Sequence, residues 1–184
     1  KSSLRNRLNI PAGQKVILYI GRFVPEKGLD LLLRAFATLD RKDAVLLLAG
    51  TGPLQDELKG LARDLHIEHK VIFNEYISPE ETCHFYSIAY AFVLPSITTK
   101  TFKEPWGLVV NESFAQSVPV LASSCVGAAA SGFLEDAVTG MVFPEGNVKV
   151  LAEKLGVLLN DPGLRHQLGK NAKRRLLESG IEKM

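Results

Sequence analysis

Short apolar blocks alternate with stretches of helical periodicity along almost the whole chain. VILYI (Val16 to Ile20) is uniformly apolar between Lys15 and Gly21, the pattern of a strand buried on both faces. Leu29, Leu32, Leu33 and Phe36 follow at i, i+3, i+4 and i+7, one apolar stripe on a helix. VLLLA (Val45 to Ala49) predicts a second strand, and Leu54, Leu58, Leu61, Ala62 and Leu65 a second helix. VIF (Val71 to Phe73) predicts a third strand ahead of the helical SPEETCHFYSIA. Its start, Ser78-Pro79-Glu80-Glu81, combines a capping box with proline at the first helical position. AFVLP predicts a fourth strand, Gly107 to Gln116 a helix, VPVLA a fifth strand and GMVF a sixth. Val150, Leu151, Leu155, Leu158 and Leu159 predict one closing helix. After Asp161-Pro162-Gly163, Leu164, Leu168, Ala172 and Leu176 predict another. The opening KSSLRNRLN reads only as a polar segment.

Strands apolar on both sides, each followed by a helix, imply a parallel sheet covered on both faces. The fold class is therefore α/β, a Rossmann-like doubly wound sheet of about six strands. Ligands of such sheets sit at the carboxyl ends of the strands. The informative segments are then GRFVPEKG, GTGP, EYIS and PSITTKTFKEPWG, which follow the first four strands. Among the connections, SITTKTFK is the longest polar one, and it leads directly into Glu104.

Composition narrows the class. The 184 residues fit a single domain, and a domain this size buries roughly 70% of its unfolded surface. A net charge of +2 is too small to imply nucleic acid or an acidic membrane by itself. Cys83 and Cys125 show no CxxC spacing, which disfavours a disulfide framework or zinc site and points to a reducing compartment. Both read as small buried residues. The apolar runs are far short of the ~20 residues that span a bilayer, and no signal-peptide pattern is visible. A start at Lys1 suggests residues 1–184 are one domain of a longer polypeptide.

Three segments carry candidate chemistry. Gly21 ends the first strand, and Arg22 and Lys27 precede a helix; the two cations either suit a diphosphate or are solvated loop charges. GxGxxG and GxxxxGK[ST] are both absent, which disfavours a nicotinamide dehydrogenase. Gly50 and Gly52 in GTGP make a tight turn, and glycines there also let a ligand approach the backbone. EPWGLVVNE places Glu104 in a loop and Glu112 about one and a half turns into the helix that begins near Gly107. That helix start offers free amides to an anion. The two acids either grip adjacent hydroxyls of a ribose or hexose, or are a loop charge and a surface acid. His66 and His69 stand at i, i+3 with no third ligand in reach, so they read as surface or helix-end residues, as do His84 and His166. KNAKRR (Lys170 to Arg175) reads as a solvated helix face, with anionic lipid headgroups as the other reading. No Asp-x-Asp occurs, so nothing in the sequence demands a divalent cation.

Together, GRFVPEKG, LLLAGTGP, FVLPS and EPWGLVVNE followed by SFAQSVPVLAS resemble the C-terminal, donor-binding domain of group 1 glycosyltransferases, the retaining family 4 enzymes of GT-B architecture. The resemblance runs from about Val16 to about Leu177, with Glu104 and Glu112 as the two-glutamate signature. It implies that Arg22 and Lys27 neutralise the diphosphate of a nucleoside diphosphate sugar. Amides of Gly107, Leu108 and Val109 would add hydrogen bonds, and Gly21, Gly50, Gly52 and Trp106 would line the donor site. Glu104 would hold hydroxyls of the transferred sugar, Glu112 those of the ribose, and the backbone near Ile77 would meet the base. On this reading Arg22, Lys27 and Glu104 are the catalytic residues.

The resemblance further implies a hexose-type sugar passed to a glycan, lipid or small-molecule acceptor, with no metal and no cofactor beyond the donor. An N-terminal acceptor domain of the same polypeptide would complete the enzyme, and the part alone would be inactive. A cytoplasmic location follows, with no nucleic-acid partner and with peripheral contact to a membrane's cytoplasmic face left open. A non-catalytic nucleotide-binding module, or a related epimerase or phosphorylase, is the alternative. Four departures from the family pattern stand out: Glu75 in place of a glycine, VGAAASGFLED after the fifth strand, Ser117 at a usual helix-ending glycine, and the long SITTKTFK.

Overall fold

The computed structural model describes residues 2–75 and 77–180. Six strands form the sheet: β1 (Lys15–Ile20), β2 (Ala44–Ala49), β3 (Val71–Asn74), β4 (Ala89–Leu94), β5 (Val120–Ser123) and β6 (Gly140–Phe143). Every neighbouring pair is parallel, in the order β3-β2-β1-β4-β5-β6. All of β2 is buried, as is β1 between its end residues, which is why neither shows polar alternation.

The helices are α1 (Ser2–Arg7), α2 (Leu29–Thr38), α3 (Gln55–Asp64), α4 (Pro79–Ile88), α5 (Leu108–Ala115), α6 (Gly127–Ala130), α7 (Val148–Asn160) and α8 (Pro162–Ser179). They cover both faces of the sheet: α2 packs with α3 and α7, while α4 packs with α1 and α5. Caps fix several boundaries. The Ser78 hydroxyl accepts from the Glu81 amide at 3.3 Å, and the Asp161 carboxylate accepts from the Leu164 amide at 2.8 Å. At the far end of α3, the amides of His66 and Ile67 bond back to the carbonyls of Arg63 and Ala62. Ser117 and Val118 bond back to Phe114 and Ser113 in the same way after α5. Both ends are Schellman motifs whose left-handed residue is not glycine, with φ of 57° at His66 and 56° at Ser117.

Some expectations are corrected. The polar opening segment contains α1; one buried leucine, Leu4, anchors it, and Ile10 follows into the core. The helix expected from Gly107 starts at Leu108, because Gly107 takes a left-handed conformation and caps it. The fifth strand starts at Val120 rather than Val118, since the Schellman turn holds Val118. Cys83 is exposed on α4, whereas Cys125 is buried as expected.

Candidate functional site

The strand order reverses direction between β1 and β4, so the loops leaving these strands diverge around a crevice. The two loops are locked to each other at its base. The Ile97 amide donates to the Glu26 carbonyl at 2.9 Å. Gly28 has a φ of 61°, and a Cβ there would lie 2.2 Å from the Pro95 carbonyl oxygen. Only glycine allows both the turn and the approach.

That contact brings Lys27 to Glu104. The Lys27 ammonium donates to Glu104 Oε2, and the Ser96 hydroxyl donates to the same oxygen at 3.2 Å. Glu104 is 8% exposed, so these partners rather than water satisfy its carboxylate. Lys27 also lies over the Phe102 ring, 5.2 Å from its centroid. Ser96 is itself held from β5: the Ser123 hydroxyl and the Cys125 thiol both donate to its carbonyl. Arg22 has another place. Its guanidinium is exposed and lies 4.0 Å from the Glu26 carboxylate. Beneath it, the Tyr19 phenol donates to the Arg22 carbonyl at 2.9 Å. Burial, with Glu104 as the next cause, pushes the Tyr19 phenol far above its usual range, so it stays a donor.

The Glu104 backbone rests on α6. The amides of Gly127 and Ala128 donate to the carbonyls of Glu104 and Trp106 at 3.1 and 3.0 Å. A Cβ on Gly127 would sit 1.8 Å from the Pro105 carbonyl oxygen. The segment in which the sequence departs from the family pattern is therefore a support for this loop. Trp106 braces it as well, packing 5.3 Å from Phe133 by ring centroids and donating to Asn111 at 3.1 Å. Gly107 follows with φ of 85° and starts α5, leaving the first-turn amides of Leu108 and Val109 without intrahelical acceptors.

Glu112 faces a different recess. It is exposed on α5, and the buried Tyr86 phenol donates to it at 2.9 Å. Burial first, then the Glu112 charge, raises the Tyr86 phenol well above its usual range. The recess between α4 and α5 holds about 330 Å³ and includes Thr82, Cys83 and Gln116.

A third hollow of about 250 Å³ gathers Gly21, Arg22, Gly50, Thr51, Glu75 and Ile77 at the ends of β1, β2 and β3. Gly52 is not among its walls; it is pressed against Phe23, where a Cβ would meet the carbonyl oxygen at 2.3 Å. A larger cleft of about 820 Å³ lies at the opposite ends of the strands, around Gln14, Asp40, His66 and His69. It lacks the glycine turns and the buried acid of the crevice. Among the described residues, no group of three or more His, Cys, Asp or Glu is placed to hold a metal ion.

Sequence reasoning did not single out Tyr19, Tyr86, Ser96 or Phe102. Tyr19 sits inside an apolar strand run and passes for plain core. The roles of the other three depend on contacts between distant segments.

The chain matches the family described as Glycosyl transferases group 1 over residues 1–175. It is 32% identical to an uncharacterized glycosyltransferase of Methanocaldococcus jannaschii, over 97% of this chain and 44% of that protein. It is also 32% identical to the D-inositol 3-phosphate glycosyltransferase of Kineococcus radiotolerans, over 95% of this chain and 43% of that one. The chain thus spans less than half the length of these relatives. Among solved structures, sucrose-phosphate synthase from Thermosynechococcus elongatus superposes with a TM-score of 0.83 at 30% identity, covering 100% of this chain and 48% of that one. The C-terminal domain of a Francisella tularensis group 1 protein shares the fold, with a TM-score of 0.84 at 22% identity over 97% of this chain and 91% of that one. With its six-stranded parallel sheet matching one half of a GT-B enzyme, this chain belongs to the group 1 glycosyl transferases.

Proposed function

We propose that this chain is the donor-binding half of a retaining glycosyltransferase that takes a hexose-type sugar from a nucleoside diphosphate sugar. The observation that carries the reading is the Lys27–Glu104–Ser96 cluster in the crevice between the β1 and β4 loops, beside the open first turn of α5. Without a donor, Lys27 and Glu104 neutralise each other. When a donor enters, its diphosphate becomes the counterion of Lys27, and the carboxylate is free to accept sugar hydroxyls. Exposed Arg22 and the Leu108 and Val109 amides complete the anion site. As the bond from C1 of the sugar to the phosphate oxygen breaks, negative charge grows on the diphosphate, and preorganised cations and amides stabilise it.

Glu112, oriented by Tyr86, is the candidate for the ribose hydroxyls, with Ile77 by the base. The relatives support a sugar nucleotide without agreeing on which. A Mycolicibacterium smegmatis relative is GDP-mannose-dependent by name, and an Anabaena protein of the same fold was crystallised with UDP-glucose. A second domain would bring the acceptor, whether a glycan, a lipid or a small molecule. Among the described residues no helix is long and apolar enough to cross a membrane, and any membrane contact of the intact cytoplasmic enzyme is peripheral on this reading. Transfer is also proposed to need no divalent cation, so that a chelator leaves its rate unchanged.

Calorimetric titration with UDP, GDP and ADP tests the reading. At least one should bind, and Arg22→Ala should weaken it by about 1.5–3 kcal/mol, the scale of a lost charge-assisted hydrogen bond. Binding by none, or equal binding by the variant, would contradict the diphosphate assignment. Retention of anomeric configuration is checked separately by proton NMR of the product.

A further inference from the structure

The hollow at the ends of β1, β2 and β3 has a floor of backbone. A Cβ on Gly50 would lie 2.0 Å from the Gly21 carbonyl oxygen, so the two strand ends touch with no side chain between them. Such a floor accepts a flat ring, and Ile77 adds an apolar wall. Arg22 lines the same hollow and joins it to the cationic loop. One acid stands at its edge. Glu75 Oε1 accepts from Gln55 Nε2 at 2.7 Å and lies 3.9 Å from the Lys59 ammonium. Both partners are on α3, and both reach the same oxygen. They hold the carboxylate in place, and with one hydrogen bond on Oε1 the second lone pair of that oxygen and both of Oε2 are left to accept from a ligand.

We propose that Glu75 selects guanine, making this a site for GDP-linked donors. The inference rests on the donor-binding reading above and names its base. Guanine presents two adjacent donors, N1–H and the exocyclic N2–H, which one carboxylate accepts side by side. Uracil presents a single N3–H flanked by two carbonyl oxygens, and one of these would face the second carboxylate oxygen. Adenine presents its N6–H beside the N1 lone pair, which meets the carboxylate with like charge. Selection thus comes as much from repelling the wrong edges as from binding the right one. Glu75 is largely exposed, its side chain 67% accessible, so the contrast is that of a solvated charge-assisted pair, on the order of tenfold.

Calorimetry with GDP, UDP and ADP on this chain and on Glu75→Gln provides the test. The wild type should bind GDP about tenfold more tightly than UDP or ADP. The variant should lose that preference through weaker GDP binding, with UDP unchanged. Equal binding of the three by the wild type, a preference for UDP or ADP, or a GDP preference that survives in Glu75→Gln would overturn the role of Glu75 and leave the diphosphate reading standing. Binding by none of the three would overturn both.

Discussion

Glu104 and Lys27 show how a sequence position becomes a site. Each is an ordinary loop charge in the sequence, and each is nearly enclosed in the fold, with side chains 10% and 16% exposed. A pair of this kind is costly to break from one side. Lys27→Met leaves a buried carboxylate with only Ser96, and it should destabilise the chain by about 3 kcal/mol in urea unfolding. The double variant Lys27→Met, Glu104→Leu should recover much of that loss, since neither charge is then left alone. Equal stability of wild type and Lys27→Met would mean the pair contributes nothing to the fold. The two charged partners were legible as candidates because few residue types suit a diphosphate or a sugar hydroxyl. Their uncharged helpers were not: Ser96 is one hydroxyl in a polar run, and Tyr19 is one ring in an apolar strand.

At the scale of elements, the site is positioned by ends rather than middles. The Gly28 turn, the Gly107 cap and the first residues of α6 each set a loop where a side chain would block it. Gly127→Ala is a sharp test, because its Cβ would press on the Pro105 carbonyl directly after Glu104. The variant should weaken binding of a sugar nucleotide by about tenfold, with little change in helix content by circular dichroism and without removing any side chain proposed to meet the donor. Unchanged binding would show that α6 does not position Glu104. Strand and helix middles were readable from periodicity, and the cap at Ser78 from its capping box, whereas the cap at Asp161 was not singled out. Helix α1 was hidden because its six residues carry only one buried apolar anchor, Leu4. Helix α6 was hidden because GAAA shows no amphipathic stripe. The Schellman ends at His66 and Ser117 carry no glycine to mark them, although Ser117 stands at a usual helix-ending position and His66 reads as a surface or helix-end residue.

The whole molecule is a doubly wound sheet whose direction change places the β1 and β4 loops together, and regular alternation of apolar strand and amphipathic helix made that topology readable. What topology alone decides, namely which loops meet, placed Lys27 on Glu104 and left Arg22 outside. It also separated the crevice from the larger cleft at the opposite strand ends. The diphosphate should bind in the crevice, and amide NMR of the chain titrated with GDP decides whether it does. Shifts should centre on Gly28, Leu108 and Val109, with His66 and His69 unmoved. Shifts centred instead on His66 and His69, or no shifts at saturating nucleotide, would contradict binding there.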